Sequence, residues 1–142
     1  MFQNPDQKDI DARLRAARTI AVVGLSADAT RPSHGVARSL QGFGYRIVPV
    51  TPAAERILGE VCFASLEEAV GALGAETIDI VDVFRRPQHV KAIVDDCIRL
   101  KLRALWLQDG VIDANAAARA VSAGIFTIMD RCIYRDRAAL PA

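Results

Sequence analysis

Residues 19–35 read TIAVVGLSADATRPSHG, and the fold follows from how that stretch must lie. Ile20, Ala21, Val22 and Val23 form an apolar run that stops at Gly24, a residue with no Cβ to obstruct a turn. A loop beginning Leu25-Ser26 leads to Arg31, Pro32 and Ser33, and helix-like residues follow from Gly35 to Gln41. Pro32 suits the first helical turn, and Thr30 or Ser33 is expected to cap it. Strand, glycine turn and helix together aim backbone N–H groups and the positive end of a helix dipole at one point, so the stretch is read as a phosphate cradle. Ser26, Ser33 and Arg31 are its side-chain donors, and an arginine can hold phosphate oxygens bidentately.

The alternation of strand and helix continues on both sides. Upstream, Asn4 and Pro5 read as an N-cap and first helical residue, opening a helix over residues 5–17 with Ile10, Leu14 and Ala17 as its apolar stripe. Downstream, residues 45–50 (YRIVPV) predict a strand whose Pro49 places it near a sheet edge. Residues 51–60 read as a loop and 61–64 as a very short strand. Ser65 and Glu68 then form a capping box for a brief helix. Residues 78–84 (IDIVDVF), 103–107 (RALWL) and 125–129 (IFTIM) predict three more strands. Between them lie a helix opening at Pro87, with apolar positions at 90, 93, 94, 97 and 98, and a helix capped by Asp113 and ended by Gly124. The tail from Arg131 is mixed.

Such spacing implies right-handed βαβ crossovers and a mostly parallel sheet covered on both faces. The predicted fold is α/β, a Rossmann-like three-layer sandwich with strand 19–24 central. Residues 1–18 are expected as a helix packed on the domain, 19–135 as the domain itself and 136–142 as a tail. Ligands of such sheets sit beyond the carboxyl ends of the strands, at the switch point of the topology. That rule selects Gly24–Ser33, Val50–Pro52, Val83–Arg86 and Gln108–Gly110 as one rim.

Composition excludes several classes. With 142 residues, 51% hydrophobic and 25% charged, the chain matches one soluble core rather than a disordered segment. A net charge of +1 offers no footprint for nucleic acid, and no stretch is apolar and long enough to span a bilayer. Cys62, Cys97 and Cys132 are odd in number, widely spaced and without a CxxC, which suits neither a disulfide framework nor zinc. The N-terminus, MFQNPDQKDIDARLR, lacks the apolar core of a signal peptide, and a reducing cytoplasmic compartment is expected.

The cradle is not the dinucleotide fingerprint. Gly24 stands alone where GxGxxG would need further glycines, and the second strand ends Val50-Thr51-Pro52 with no acid to hold ribose hydroxyls. Catalytic candidates are few. His34 and His89 have no carboxylate or cysteine companion at ligand spacing. Asp79 and Asp82 point to opposite faces of a strand, and a solvated end or a hydrogen bond to a loop is expected for each. Arg85 and Arg86 either face a ligand or lie along the surface. Gln108 and Asp109, just beyond a strand, are rim candidates. Cys132 is read as a buried, inert thiol, and Arg131, Arg135 and Arg137 as a solvated tail.

Several motifs in order carry a resemblance: GLSADATRPSHGVARSLQGFGYRIVPVTP from Gly24, ILGE at 57–60, DVFRR at 82–86, WLQDGV at 106–111 and MDRC at 129–132. They resemble the small stand-alone CoA-binding proteins, which are similar to the N-terminal CoA-binding domain of the succinyl-CoA synthetase alpha subunit. The resemblance covers residues 19 to about 135. It implies a Rossmann-like domain holding CoA or an acyl-CoA as a small-molecule ligand along the strand-end rim. Gly24, Leu25, Ser26, Arg31, Pro32 and Ser33 would meet the phosphates; Val50, Thr51 and Pro52 would border the nucleotide. Val83, Phe84 and Arg85 would shape the adenine and pantetheine side, and Gln108 would stand on the same rim. Thr51 replaces the family's usual asparagine, exchanging an amide for a hydroxyl. The ligase's phosphorylated histidine belongs to a second domain that this chain does not contain, so binding without catalysis is expected. The alternatives are an NAD-responsive regulatory module and an enzyme handling thioesters through Cys132.

Overall fold

A computed structural model describes residues 1–141. Five parallel strands form one sheet: β1 (Thr19–Val23), β2 (Arg46–Val50), β5 (Ile80–Val83), β6 (Ala104–Leu107) and β7 (Phe126–Ile128). Their spatial order is β2-β1-β5-β6-β7, so β5 holds the middle place and β1, expected there, lies second from an edge. The chain leaves β1 toward β2 and returns on the other side to β5, which puts the switch point between the carboxyl ends of β1 and β5.

Each strand is buried on both faces because its alternate residues feed two cores. Ile20, Val22, Ile80 and Trp106 pack under α1 (Gln7–Ala16), α2 (Pro32–Gly42) and α6 (Ile133–Ala138). Ala21, Val23, Val81 and Leu105 pack under α3 (Leu66–Leu73), α4 (Val90–Arg99) and α5 (Ala114–Ser122). β2 is an edge strand, as Pro49 requires: the Pro49 carbonyl faces outward and accepts from Phe63 N–H at 3.0 Å, so the missing N–H also faces away from the ladder.

Ser65 and Asp113 cap α3 and α5 as expected, but the Glu68 carboxylate accepts from Ala64 N–H at 2.9 Å rather than from Ser65 N–H, so the capping box is not closed in its usual form. Ser65 Oγ accepts from Glu68 N–H at 3.1 Å, and Asp113 Oδ1 accepts from Ala116 N–H at 3.0 Å. Other expectations are corrected. Asn4 does not cap α1, whose N-cap is Asp6; its side chain grips the backbone of Met129 in both directions, at 3.0 and 2.8 Å. Neither Thr30 nor Ser33 caps α2. The N-cap is Arg31, with Pro32 in the first turn as expected. The segment read as a loop holds a hairpin, β3 (Arg56–Ile57) against β4 (Glu60–Val61). Residues 87–89 are a 3-10 turn, and α4 begins only at Val90.

The mixed tail is the helix α6, tied down by an Arg131–Asp136 ion pair and by Arg137 stacked 4.5 Å over the Phe43 ring. Two aspartates diverge sharply. Asp79 precedes β5 and accepts from Arg18 N–H at 2.9 Å, Thr19 N–H at 3.0 Å and Arg103 at 2.9 Å. Asp82, expected to be solvated or bonded, lies wholly buried between Val22 and Trp106, with neither carboxyl oxygen hydrogen-bonded among the described residues. Desolvation pushes its pKa well above the ordinary aspartate value.

Candidate functional site

Gly24 is the hinge of the site. Its φ of +84° is left-handed, and its N–H donates to the Val50 carbonyl at 3.0 Å. A Cβ there would stand 2.4 Å from the Phe84 carbonyl oxygen and 2.8 Å from Arg85 Cδ. No side chain fits between the end of β1 and the chain leaving β5, so only glycine lets the two strand ends close together.

The loop from Gly24 to Arg31 is organised by its own polar residues. Asp28 N–H donates to Ser26 Oγ at 3.0 Å, while Asp28 Oδ1 accepts from Thr30 N–H at 2.9 Å and from the Thr30 hydroxyl at 2.7 Å. Those two Thr30 bonds are the main reason the Asp28 carboxyl is held below its ordinary pKa, with Arg31 and His34 adding smaller attractions. Ser26 N–H donates to Ser33 Oγ at 3.0 Å, stapling the loop to the start of α2. That backbone N–H is therefore taken, while the side-chain hydroxyls of Ser26 and Ser33 remain as side-chain donors for an anion.

An open cleft of about 1150 Å³ lies across the strand ends. Gly24, Leu25, Ser26, Arg31, Pro32 and Ser33 line it from the cradle, and Thr51, Phe84, Arg85 and Gln108 from the other strand ends. The remaining expected residues stand outside it. Val50 and Val83 are core residues, Val50 acting on the site only through the carbonyl that holds Gly24, and Pro52 is exposed beyond the cleft. Residues outside the expected binding set complete the wall. Val36, Ala53, Ala54 and Ile57 give an apolar side next to α2, and Ile57 arrives there only through the unforeseen hairpin. Cys132 and Arg135 come from beyond β7, in the stretch read as tail.

The charge distribution is uneven. Arg31, Arg85 and Arg86 line the cleft without an ion pair among the described residues, whereas Arg135 is held by Asp109 at 2.7 Å. Three unpaired guanidinia in one cleft favour an anion with several charged groups. No group of three or more His, Cys, Asp or Glu side chains able to hold a metal occurs among the described residues. All three cysteines are free. Burial lifts Cys97 to about 12 and raises Cys62 as well, and Cys132 is buried at the cleft wall. His89 borders the cleft, and His34 stays outside it.

The family described as CoA binding domain matches residues 18–137. The uncharacterized protein YneT of Bacillus subtilis (strain 168) is 36% identical over 132 residues, covering 93% of this chain and 94% of that one. The solved structure of the Thermus thermophilus protein cell-free ID.343 superposes with a TM-score of 0.85 at 34% identity, over 94% of this chain and 98% of that chain. A hypothetical protein from Pyrococcus horikoshii OT3 superposes with a TM-score of 0.87 at 26% identity, over 99% and 97% of the two chains.

Proposed function

The chain belongs to the CoA binding domain family, and on that premise we propose that the cleft at the switch point binds CoA or an acyl-CoA. The observation that carries the reading is the set of unpaired arginines, Arg31, Arg85 and Arg86, around a floor that only glycine can make. CoA's adenosine head bears a diphosphate and a 3′-phosphate, and such a polyanion needs that concentration of fixed positive charge. The Ser26 and Ser33 hydroxyls and the N-terminal end of α2 add neutral donors. Thr51, Ala53, Ala54 and Ile57 would border the nucleoside, where the cleft wall is largely apolar.

NAD fits less well because Thr51 stands where a carboxylate would bind ribose hydroxyls. Recognition, rather than catalysis, is the chain's own contribution in this reading. Three free thiols suit a reducing, cytoplasmic setting. The presence of Cys132 on the cleft wall favours a second reading, a thioester-exchanging enzyme. Rapid, CoA-protected alkylation of Cys132 at neutral pH would support it, and a slow reaction would count against it.

Thermal unfolding with CoA, acetyl-CoA, dephospho-CoA, NAD and ATP tests the main proposal. A ligand at a hundredfold excess over its Kd stabilises the fold by about 2.7 kcal/mol. CoA is expected to raise the midpoint of the wild type most, and Arg31→Ala is expected to lose most of that rise. A rise with NAD alone, or with none of the five, would refute it.

A further inference from the structure

A second recess, of about 450 Å³, lies at the end of the sheet opposite the cleft. It opens where Arg18 leads into β1 and Tyr45 into β2, roughly 16 Å from Gly24 at about 3.3 Å per strand residue. The last turn of α1 forms one wall, the turn between α2 and β2 another, and α6 with the chain after it the third.

The charge in this recess is one-sided. Arg15, Arg18 and Arg137 line it, and no Asp or Glu among the described residues does. None of the three guanidinia has an ion pair among the described residues. Two carboxylates close by in the fold are engaged by other cations. Asp79 accepts from the backbone N–H groups of Arg18 and Thr19 but pairs with Arg103, and Asp136 pairs with Arg131. Tyr45 is not the counter-ion. Its hydroxyl donates to the Leu14 carbonyl at 2.5 Å, and burial pushes the phenol up in pKa against the opposing pull of Arg137, so it stays neutral.

Packing accounts for only part of the cluster. Arg137 lies 4.5 Å over the Phe43 ring and 5.7 Å over that of Tyr45, a stacking that uses the face of the guanidinium and leaves its N–H edge for another partner. Arg15 gives one of its five N–H groups to the Pro141 carbonyl at 3.2 Å. The Arg18 side chain makes no hydrogen bond among the described residues, although its backbone N–H is held by Asp79. Three like charges gathered in one recess repel each other, and an anion between them reverses that repulsion.

We propose that this recess is a second anion site, separate from the cleft, which takes the phosphate group of a small phosphomonoester. A carboxylate presents one planar edge, which a single guanidinium fork satisfies. A phosphate dianion presents three oxygens in a tetrahedral fan, and the arginines reach the recess from two walls, the end of α1 and α6. The volume is that of a small-molecule site.

Amide NMR titration of the labelled full chain at pH 7.5 and constant ionic strength tests this, with inorganic phosphate, glycerol 3-phosphate and, as a dicarboxylate control, malonate. Both phosphates are expected to give saturable shifts at Arg15–Thr19 and Gly44–Arg46, and malonate is not. Those shifts should persist in Arg31→Ala, which weakens the cleft. Arg18→Gln should lower the affinity about 10- to 100-fold, the range for a lost charged hydrogen bond, and Arg15→Gln decides if that variant fails to fold. Shifts confined to Gly24–Ser33, an equal response to malonate, or wild-type affinity in the arginine variants would overturn the proposal. Binding of inorganic phosphate without the ester would overturn the assignment of an ester. None of these failures bears on CoA binding in the cleft.

Discussion

Replacing Asp82 by asparagine keeps the shape of the side chain and removes its proton, which makes it the sharpest probe of the core. The carboxyl lies wholly buried in the middle strand with no hydrogen-bond partner among the described residues, and its pKa is raised well above the ordinary value by desolvation. Folding thus favours the protonated form. Between the unfolded aspartate pKa, about 3.9, and the raised folded value, the native state holds a proton that the unfolded chain has lost. Stability contributed through this group is fully present below the unfolded pKa and falls as pH rises, by about 1.4 kcal/mol per pH unit, until the folded pKa is passed. The asparagine side chain cannot titrate, and its buried amide carries a desolvation cost similar to that of the neutral acid. Urea unfolding of the wild type and Asp82→Asn at pH 3.0, 4.5 and 6.0 should therefore give near-equal stabilities only at the lowest pH, below the unfolded aspartate pKa. The asparagine variant should gain on the wild type as pH rises above the unfolded pKa, with a limiting slope of about 1.4 kcal/mol per unit, until the raised folded pKa is passed. Curves that stay parallel across the range would refute the burial of an unpartnered acid at this position.

Gly24→Ala should destabilise the fold by about 2 kcal/mol or more, since a left-handed alanine costs roughly 1–2 kcal/mol before the 2.4 Å clash with the Phe84 carbonyl is added. Chemical denaturation measures it, and a loss below about 0.5 kcal/mol would contradict the close approach of β1 and β5. Asp113→Ala removes the Ala116 cap and should cost about 1 kcal/mol in the same assay. Asp79→Ala takes away two backbone bonds and the Arg103 ion pair, and a larger loss of about 1.5–3 kcal/mol is expected.

The parallel architecture was legible because its signals are local. Unbroken apolar runs at Ile20–Val23 and Ala104–Leu107 could only be strands buried on both faces, and the i, i+3, i+4 stripe from Val90 could only be a helix packed on them. The hairpin was hidden because its strands are two residues long and its turn, Leu58-Gly59, has left-handed φ at both positions without the Asn-Gly pair that usually announces one. Helix α6 depends on partners far away in sequence: Gln108 holds Ile133, and Asp109 holds Arg135. Its approach to the cleft left no local signal. Asn4 looked like a cap because local spacing cannot reveal Met129, its partner at the other end of the chain. The strand-end rule found the rim, since topology alone decides where loops converge. Which backbone N–H groups the loop itself would consume, as Ser33 consumes that of Ser26, depended on distances no sequence pattern carries.

The most direct test of the CoA site is an amide NMR titration of the isotope-labelled protein with CoA. Shift changes should cluster at Gly24–Ser33, Phe84–Arg86 and Gln108–Val111 and saturate together. Saturable changes confined to the opposite, amino-terminal end of the strands, around Arg15, Arg18 and Tyr45, or no change at millimolar CoA, would contradict it.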